Sequence, residues 1–189
     1  MSQPLNVENS LDLLLVLLYA PGQEKKECEP IDGITRLQKL IFLLNQGKGP
    51  SSLVKIAKEY SFEAYKMGPY TDSLREDLDT LISLGLVGTK RLNYMISDDR
   101  DDLDYDIDDP DYKQGEKRKR IESQRFYLTE NGKVAGSELW HNLTSKDRDA
   151  LKEFKTFFCT LTLRQLLIFV YDQFPKFTVK SEIKKQLGL

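Results

Sequence analysis

Carboxylates offer the first prospect of chemistry in this chain. Between Asp98 and Asp111 stand nine aspartates and one arginine, and Asp102, Asp104 and Asp106 occupy alternate positions, the spacing of the first ligands in an EF-hand calcium loop. The rest of that loop is missing. Counted from Asp102, the sixth position, where glycine makes the turn, is Ile107, and the twelfth, where a bidentate glutamate belongs, is Lys113. Such a run attracts divalent cations weakly and without selectivity. Leu103, Tyr105 and Ile107 alternate with the acids, so an extended chain here would have one apolar and one anionic edge. That edge could add a strand to a partner or imitate a nucleic-acid backbone; the plainer reading is a solvated, charge-rich loop tip.

No other residues assemble a catalytic centre. An enzyme needs a nucleophile with a base, paired carboxylates in a cleft, a metal set or a phosphate-cradling loop. The single histidine, His141, sits beside Trp140 on an amphipathic segment and reads as a surface or packing residue. Gly47-Lys48-Gly49 lacks the length and the Lys-Ser/Thr ending of a P-loop and reads as a break between helices. Cys28 and Cys159 lie far apart, which indicates reduced thiols rather than a disulfide framework or a zinc site. We therefore expect no catalytic residues, no metal ligands and no cofactor.

The elements that would position any binding residues are helical. Ser10 or Asn9 caps a helix through Leu11, Leu14, Leu15 and Leu18, ended by Pro21-Gly22; a second runs from about Ile34 to Asn45, and Ser51-Ser52 opens a short third. Tyr60 to Tyr65 alternates as a strand, and Met67-Gly68-Pro69-Tyr70 makes a turn. The helix from about Thr71 to Leu84 is the clearest element. Leu74, Leu78, Leu81 and Ile82 share one face, Thr71 or Asp72 can cap it, and Gly85 stands where a left-handed C-terminal residue is wanted. Strands follow at Leu86-Val87 and Thr89 to Ile96, with another returning at Arg125 to Leu128. Beyond them we expect a short helix from Thr129, helices opened by Thr144-Ser145 and Thr162, a stop at Pro175, and a last helix over Thr178 to Leu187.

This order predicts a mainly α fold with a small β-hairpin (α+β): a winged-helix-like domain over residues 1–143, a charged hairpin insertion at 97–124, and a C-terminal helical part, 144–189, packed on it. A length of 189 residues suffices for an independent core. The longest apolar run, Leu11 to Ala20 with Asp12 inside it, is far short of the ~20 residues that span a bilayer. It also lacks the flanks of a signal peptide. A cytoplasmic protein without a membrane partner is the expectation.

A resemblance enters at particular residues. The run Gly33-Ile34-Thr35-Arg36-Leu37-Gln38-Lys39-Leu40-Ile41-Phe42-Leu43-Leu44, then Phe62, Gly68-Pro69-Tyr70, Leu78, Leu81 and Gly85-Leu86-Val87 resembles the pattern of YwgA-like proteins and of the SocA-like Panacea antitoxin domain. Leu167 to Ser181, with Val170-Tyr171, Phe174-Pro175 and Ser181, is similar to the C-terminal end of the first group. The resemblance implies a small helical, winged-helix-like domain that, in the Panacea family, neutralises toxins or serves as a protein adaptor. The long aspartate-then-basic insertion departs from the short hairpin of that pattern.

Charge then separates two functions. A winged-helix DNA-binding regulator would place a helix in the major groove and the wing on the backbone. Its candidate contacts are Arg36 and Lys39 on the second helix and Lys117, Arg118, Lys119 and Arg120 in the basic tract. Opposed to it is the solvent face of the Thr71 to Leu84 helix, where Asp72, Glu76, Asp77 and Asp79 outnumber Arg75 and would repel phosphates. The net charge of −2 and pI near 5.6 point the same way. A protein-interaction module of antitoxin or adaptor type, alone or as a homodimer, fits better. Tyr70, Asp72, Arg75, Glu76, Asp79, Leu103, Tyr105 and Ile107 would hold a basic protein partner such as a toxin or effector.

Overall fold

The structure is a computed structural model that describes residues 6–95 and 120–189. Among these residues the order is α1 (Ser10–Tyr19), β1 (Ile31–Asp32), α2 (Ile34–Asn45), α3 (Ser51–Ala57), β2 (Glu63–Tyr65), β3 (Gly68–Tyr70), α4 (Ser73–Ser83), β4 (Val87–Met95), β5 (Arg120–Leu128), α5 (Glu130–Asn142), α6 (Ser145–Thr160) and α7 (Leu163–Gln173), with a 3-10 turn at Pro175–Thr178. β4 and β5 form an antiparallel ribbon in unbroken register from Val87 opposite Leu128 to Met95 opposite Arg120. β1 joins the far side of β5, giving the sheet order β1-β5-β4. A helix, a short strand, further helices and then a ribbon whose second strand returns to the middle of the sheet is the winged-helix layout. The protein is thus mainly helical with a small antiparallel sheet.

Burial explains the helices' different sequences. α1 is buried at every position from Leu13 to Tyr19, and α2 at Ile34, Thr35 and without a gap from Leu37 to Leu44. Helices enclosed on all sides need apolar residues on all sides. α4 buries Leu74, Leu78 and Leu81, half-buries Arg75 and Asp77, and leaves the rest of its surface to solvent. One apolar core joins residues from α1 to Ile183 and Leu187. Phe42 of α2 stands at its aromatic centre, edge-on to Phe62 at 5.2 Å, Phe174 at 5.0 Å and Phe177 at 4.9 Å, a favoured ring geometry.

Many helix ends are closed by side chains, though the amino ends of α2, α3 and α4 are not, and the two kinds of end use different chemistry. At the amino ends, Asn9, Thr129, Thr144 and Thr162 accept the orphan amides of α1, α5, α6 and α7, the last with a full capping box to Gln165. Several carboxyl ends are met by donors from other elements. Lys155 of α6 reaches Leu18 and Ala20 at the end of α1, Arg148 reaches His141 and Leu143 at the end of α5, and Asn45 of α2 reaches Ala57 and Tyr60 after α3. Arg36 of α2 donates to Phe158 and Leu161 at the end of α6. Cations suit these ends because the helix dipole is negative there.

Five expectations are corrected. Met67 to Tyr70 is not a free turn, because Gly68–Tyr70 pairs with Glu63–Tyr65 as a small hairpin, and the strand expected from Tyr60 begins only at Glu63. Asp72 occupies the N-cap position of α4 without capping it, since its carboxylate accepts the Tyr70 hydroxyl instead. No α-helix forms over Thr178 to Leu187; a 3-10 turn and looser turns carry the chain there. β5 begins at Arg120 rather than Arg125, so the ribbon is longer than expected and runs up to residues 96–119, which lie outside the described residues.

Candidate functional site

Two residues of buried α2 fix the hairpin that precedes α4. The Gln38 amide donates to the Thr71 carbonyl at 2.8 Å and accepts the Thr71 amide at 3.2 Å, a two-point clamp that imitates a strand partner. The neighbouring Lys39 donates its ammonium to the Pro69 carbonyl at 3.1 Å. Both side chains are fully buried, so their polar groups must be satisfied inside the protein. On the other flank, Gly68 has φ +86° and lies under the Tyr171 ring. The backbone leading into α4 is therefore held from both sides.

The hairpin delivers a polar network to the start of α4. Tyr70 donates its hydroxyl to Asp72 Oδ1 at 2.8 Å and accepts Arg75 Nε at 3.1 Å, while its ring lies 4.8 Å from the more exposed Tyr65 ring. Burial, with the Asp72 carboxylate next in importance, raises the Tyr70 pKa and keeps the phenol protonated. Tyr70 is itself buried, so it serves to fix Asp72 and Arg75 in place, and side chains already ordered lose little entropy on binding.

Along α4, Glu76 and Asp79 point to solvent and Asp72 is exposed at the amino end. Asp77 is half-buried and turned toward Tyr60 instead. It accepts the Tyr60 hydroxyl at 2.6 Å, and burial together with that carboxylate raises the Tyr60 pKa strongly. At the carboxyl end, Gly85 takes φ +69°, with its amide bonded to the Ile82 carbonyl and the Leu86 amide to that of Leu81. This paired closure starts β4 in register.

The structure thus brings together Tyr70, Asp72, Arg75, Glu76 and Asp79, and it corrects two proposed nucleic-acid contacts. Lys39 is wholly buried under Pro69, and the Arg36 guanidinium is engaged by two carbonyls of α6, at 3.1 and 2.8 Å. Lys39 presents no charge to a duplex, and the half-buried Arg36 is held against the end of α6. Arg120 opens β5, while Leu103, Tyr105, Ile107, Lys117, Arg118 and Lys119 lie outside the described residues. Sequence reasoning missed Gln38 and Tyr65. Nothing local marked either, since Gln38 shares the first half of α2 with the polar Thr35, Arg36 and Lys39.

Among the described residues, no group of three or more His, Cys, Asp and Glu side chains is placed to hold a metal ion. His141 is exposed, its Nδ1 lying 2.7 Å from the Ser137 carbonyl. Burial raises the pKa of both Cys28 and Cys159, which are free thiols. No single helix among the described residues is long and apolar enough to cross a membrane. No protein-family model matches the chain, and no curated protein or solved structure is significantly similar to it.

Proposed function

We propose that the chain is a non-catalytic protein-interaction module of antitoxin or adaptor type, whose α4 face holds a basic protein partner. The observation that carries this reading is the charge of α4. In a winged-helix layout, the helix before the wing is the one that reads DNA. Here that helix exposes Asp72, Glu76 and Asp79, while Arg75 is turned back onto Tyr70. Carboxylates in that place repel phosphates and steer a cationic protein surface toward the helix. The burial of Lys39 and the engagement of Arg36 by carbonyls at the end of α6 also weaken two of the cations on which DNA binding would rely. The resemblance to YwgA-like and SocA-like Panacea domains supports the same class, and a cytoplasmic setting would suit it.

The test is capture of a partner from the source cell by the tagged full chain, run beside a binding titration on generic duplex DNA. A stoichiometric basic protein retained by the wild type and lost on Glu76→Lys with Asp79→Lys is the expected result. Micromolar DNA binding that weakens steeply with salt and vanishes on neutralising Lys117 to Arg120 would overturn the proposal in favour of a DNA-binding regulator.

A further inference from the structure

The chain after α7 is anchored without being helical. Thr178, Ile183 and Leu187 are buried, the Ser181 and Tyr171 hydroxyls meet at 2.8 Å, and the Glu182 amide donates to the Lys66 carbonyl at 2.9 Å. Arg164 adds bonds to the Gln186 and Leu187 carbonyls. With these groups turned inward, Lys176, Lys180, Lys184 and Lys185 are all exposed. The segment is a strap that holds four lysines on a fixed backbone, with Glu182 as its one acid, 3.9 Å from Lys66.

This basic strap and the acidic α4 face border the same hairpin. The strap bonds to Lys66 at the hairpin turn, and Tyr70 at the hairpin's other end bonds to Asp72 at the start of α4. On the hairpin itself Tyr65 is 37% exposed, and Val179 of the strap is 77% exposed. Among the described residues, no ion pair within the chain engages Glu76, Asp79, Lys180, Lys184 or Lys185. Opposite charges thus flank the two ends of one hairpin without forming ion pairs among the described residues.

We propose that the free chain pairs with a second copy of itself about a two-fold axis through this hairpin, the α4 acids of each protomer facing the strap lysines of the other. A two-fold contact is self-complementary when each protomer brings a patch and its complement to the axis; the hairpin, bonded to the strap at Lys66 and leading into α4 at Tyr70, would bring both. Tyr65 and Val179 supply apolar surface near the centre. Exposed ion pairs contribute little individually, so the dimer is weak and salt-sensitive. It covers α4, so a basic partner that takes α4 splits the dimer.

The experiment is charge exchange, read by sedimentation velocity on the full chain in about 50 mM salt. The wild type is expected to dimerise with rising concentration and to dissociate in about 0.5 M salt, where screening is several-fold stronger. Glu76→Lys with Asp79→Lys, and separately Lys180→Glu with Lys184→Glu, should each weaken self-association at least ~tenfold by setting like charges face to face. An equimolar mixture of the two variants should restore dimers, as should the chain carrying all four changes. Thermal melts confirm folding, and Lys176→Glu with Lys185→Glu replaces the second variant if it fails to fold. A monomeric wild type, a dimer indifferent to these charges, a mixture that does not reassociate, or growth past dimers would each overturn the proposal. The strap variant leaves the acidic face intact, so it should keep its protein partner; failure of the dimer is thereby distinguishable from failure of the partner reading.

Discussion

Lys155 of α6 donates its ammonium to the carbonyl of Ala20 at the end of α1 at 2.7 Å, joining residues 135 positions apart. The same nitrogen reaches the Glu29 carbonyl at 2.7 Å and that of Leu18 at 3.3 Å, and the side chain is fully buried. A cation in the core is stable there only because these dipoles replace its water. Lys155→Ala removes the donor, strands its acceptors and opens a cavity, and should cost about 3 kcal/mol or more of unfolding free energy in a urea titration.

The same lysine predicts a pH signature. Burial is the main cause that pushes its pKa down from 10.5 to about 8. Below that pH both folded and unfolded chains carry the proton, and the full cost of burying the charge is present. Between about 8 and 10.5 the unfolded chain binds more protons than the folded one, so this group's contribution to stability rises with pH. The raised pKa values of Cys28, Cys159, Tyr19 and Tyr60 act the opposite way at alkaline pH, so the wild-type profile alone would not isolate it. The difference in unfolding free energy between the wild type and Lys155→Met should grow in favour of the wild type from pH 8 to pH 10, by an amount on the order of 2 kcal/mol. A flat difference would show that the ammonium stays charged throughout.

Gly68 and Gly85 both adopt positive φ, yet they should respond differently to alanine. A Cβ on Gly68 would fall 2.7 Å from a Tyr171 ring carbon, whereas nothing lies within 4 Å of one on Gly85. Gly85→Ala should therefore cost only the ~1–2 kcal/mol of left-handed strain. Gly68→Ala adds a clash with a buried ring and should cost clearly more. In a Tyr171→Leu background the penalty of Gly68→Ala should shrink toward that of Gly85→Ala, which a double-mutant cycle in urea would measure.

How much of this was legible in the sequence depended on whether the signal was local. α2 was readable from Ile34 to Asn45, and α4 to within two residues, because apolar periodicity and breaking glycines are written in neighbouring positions. The Glu63–Tyr65 to Gly68–Tyr70 hairpin was not, since a short strand is decided by its partner and Pro69 suggested a turn. The strap at 175–189 kept a helical spacing of apolar residues but is held by Tyr171, Lys66 and Arg164 in another conformation. Arg36 and Lys39 looked like surface cations because charge alone does not reveal that distant carbonyls of α6 and β3 wait for them. The acidic face of α4 was legible because exposure of Glu76 and Asp79 follows directly from burial of Leu74, Leu78 and Leu81.

Gln38 should govern the order of the binding face rather than touch a partner. Its amide makes both bonds to Thr71 in a buried setting, so Gln38→Leu leaves a backbone donor and an acceptor unpaired, at roughly 1–3 kcal/mol for each group. Hydrogen exchange should accelerate first at Thr71 and the opening turn of α4. Unchanged protection there would mean that Lys39 and the β2 pairing hold the segment without it.

Arg36 separates the two functional readings by what its loss does. As a phosphate contact, Arg36→Gln would weaken duplex binding and lower the salt dependence by about one ion, with stability unchanged. As a bridge from α2 to the end of α6, its guanidinium instead satisfies the Phe158 and Leu161 carbonyls. The variant should then lose about 1–3 kcal/mol of stability, measured by urea titration, because a charged donor at a helix carboxyl end is replaced by a neutral one. Any interaction with DNA should be unaltered at equal folded concentration. A stable Arg36→Gln chain with altered DNA binding would return this residue to the surface role that its charge first suggested.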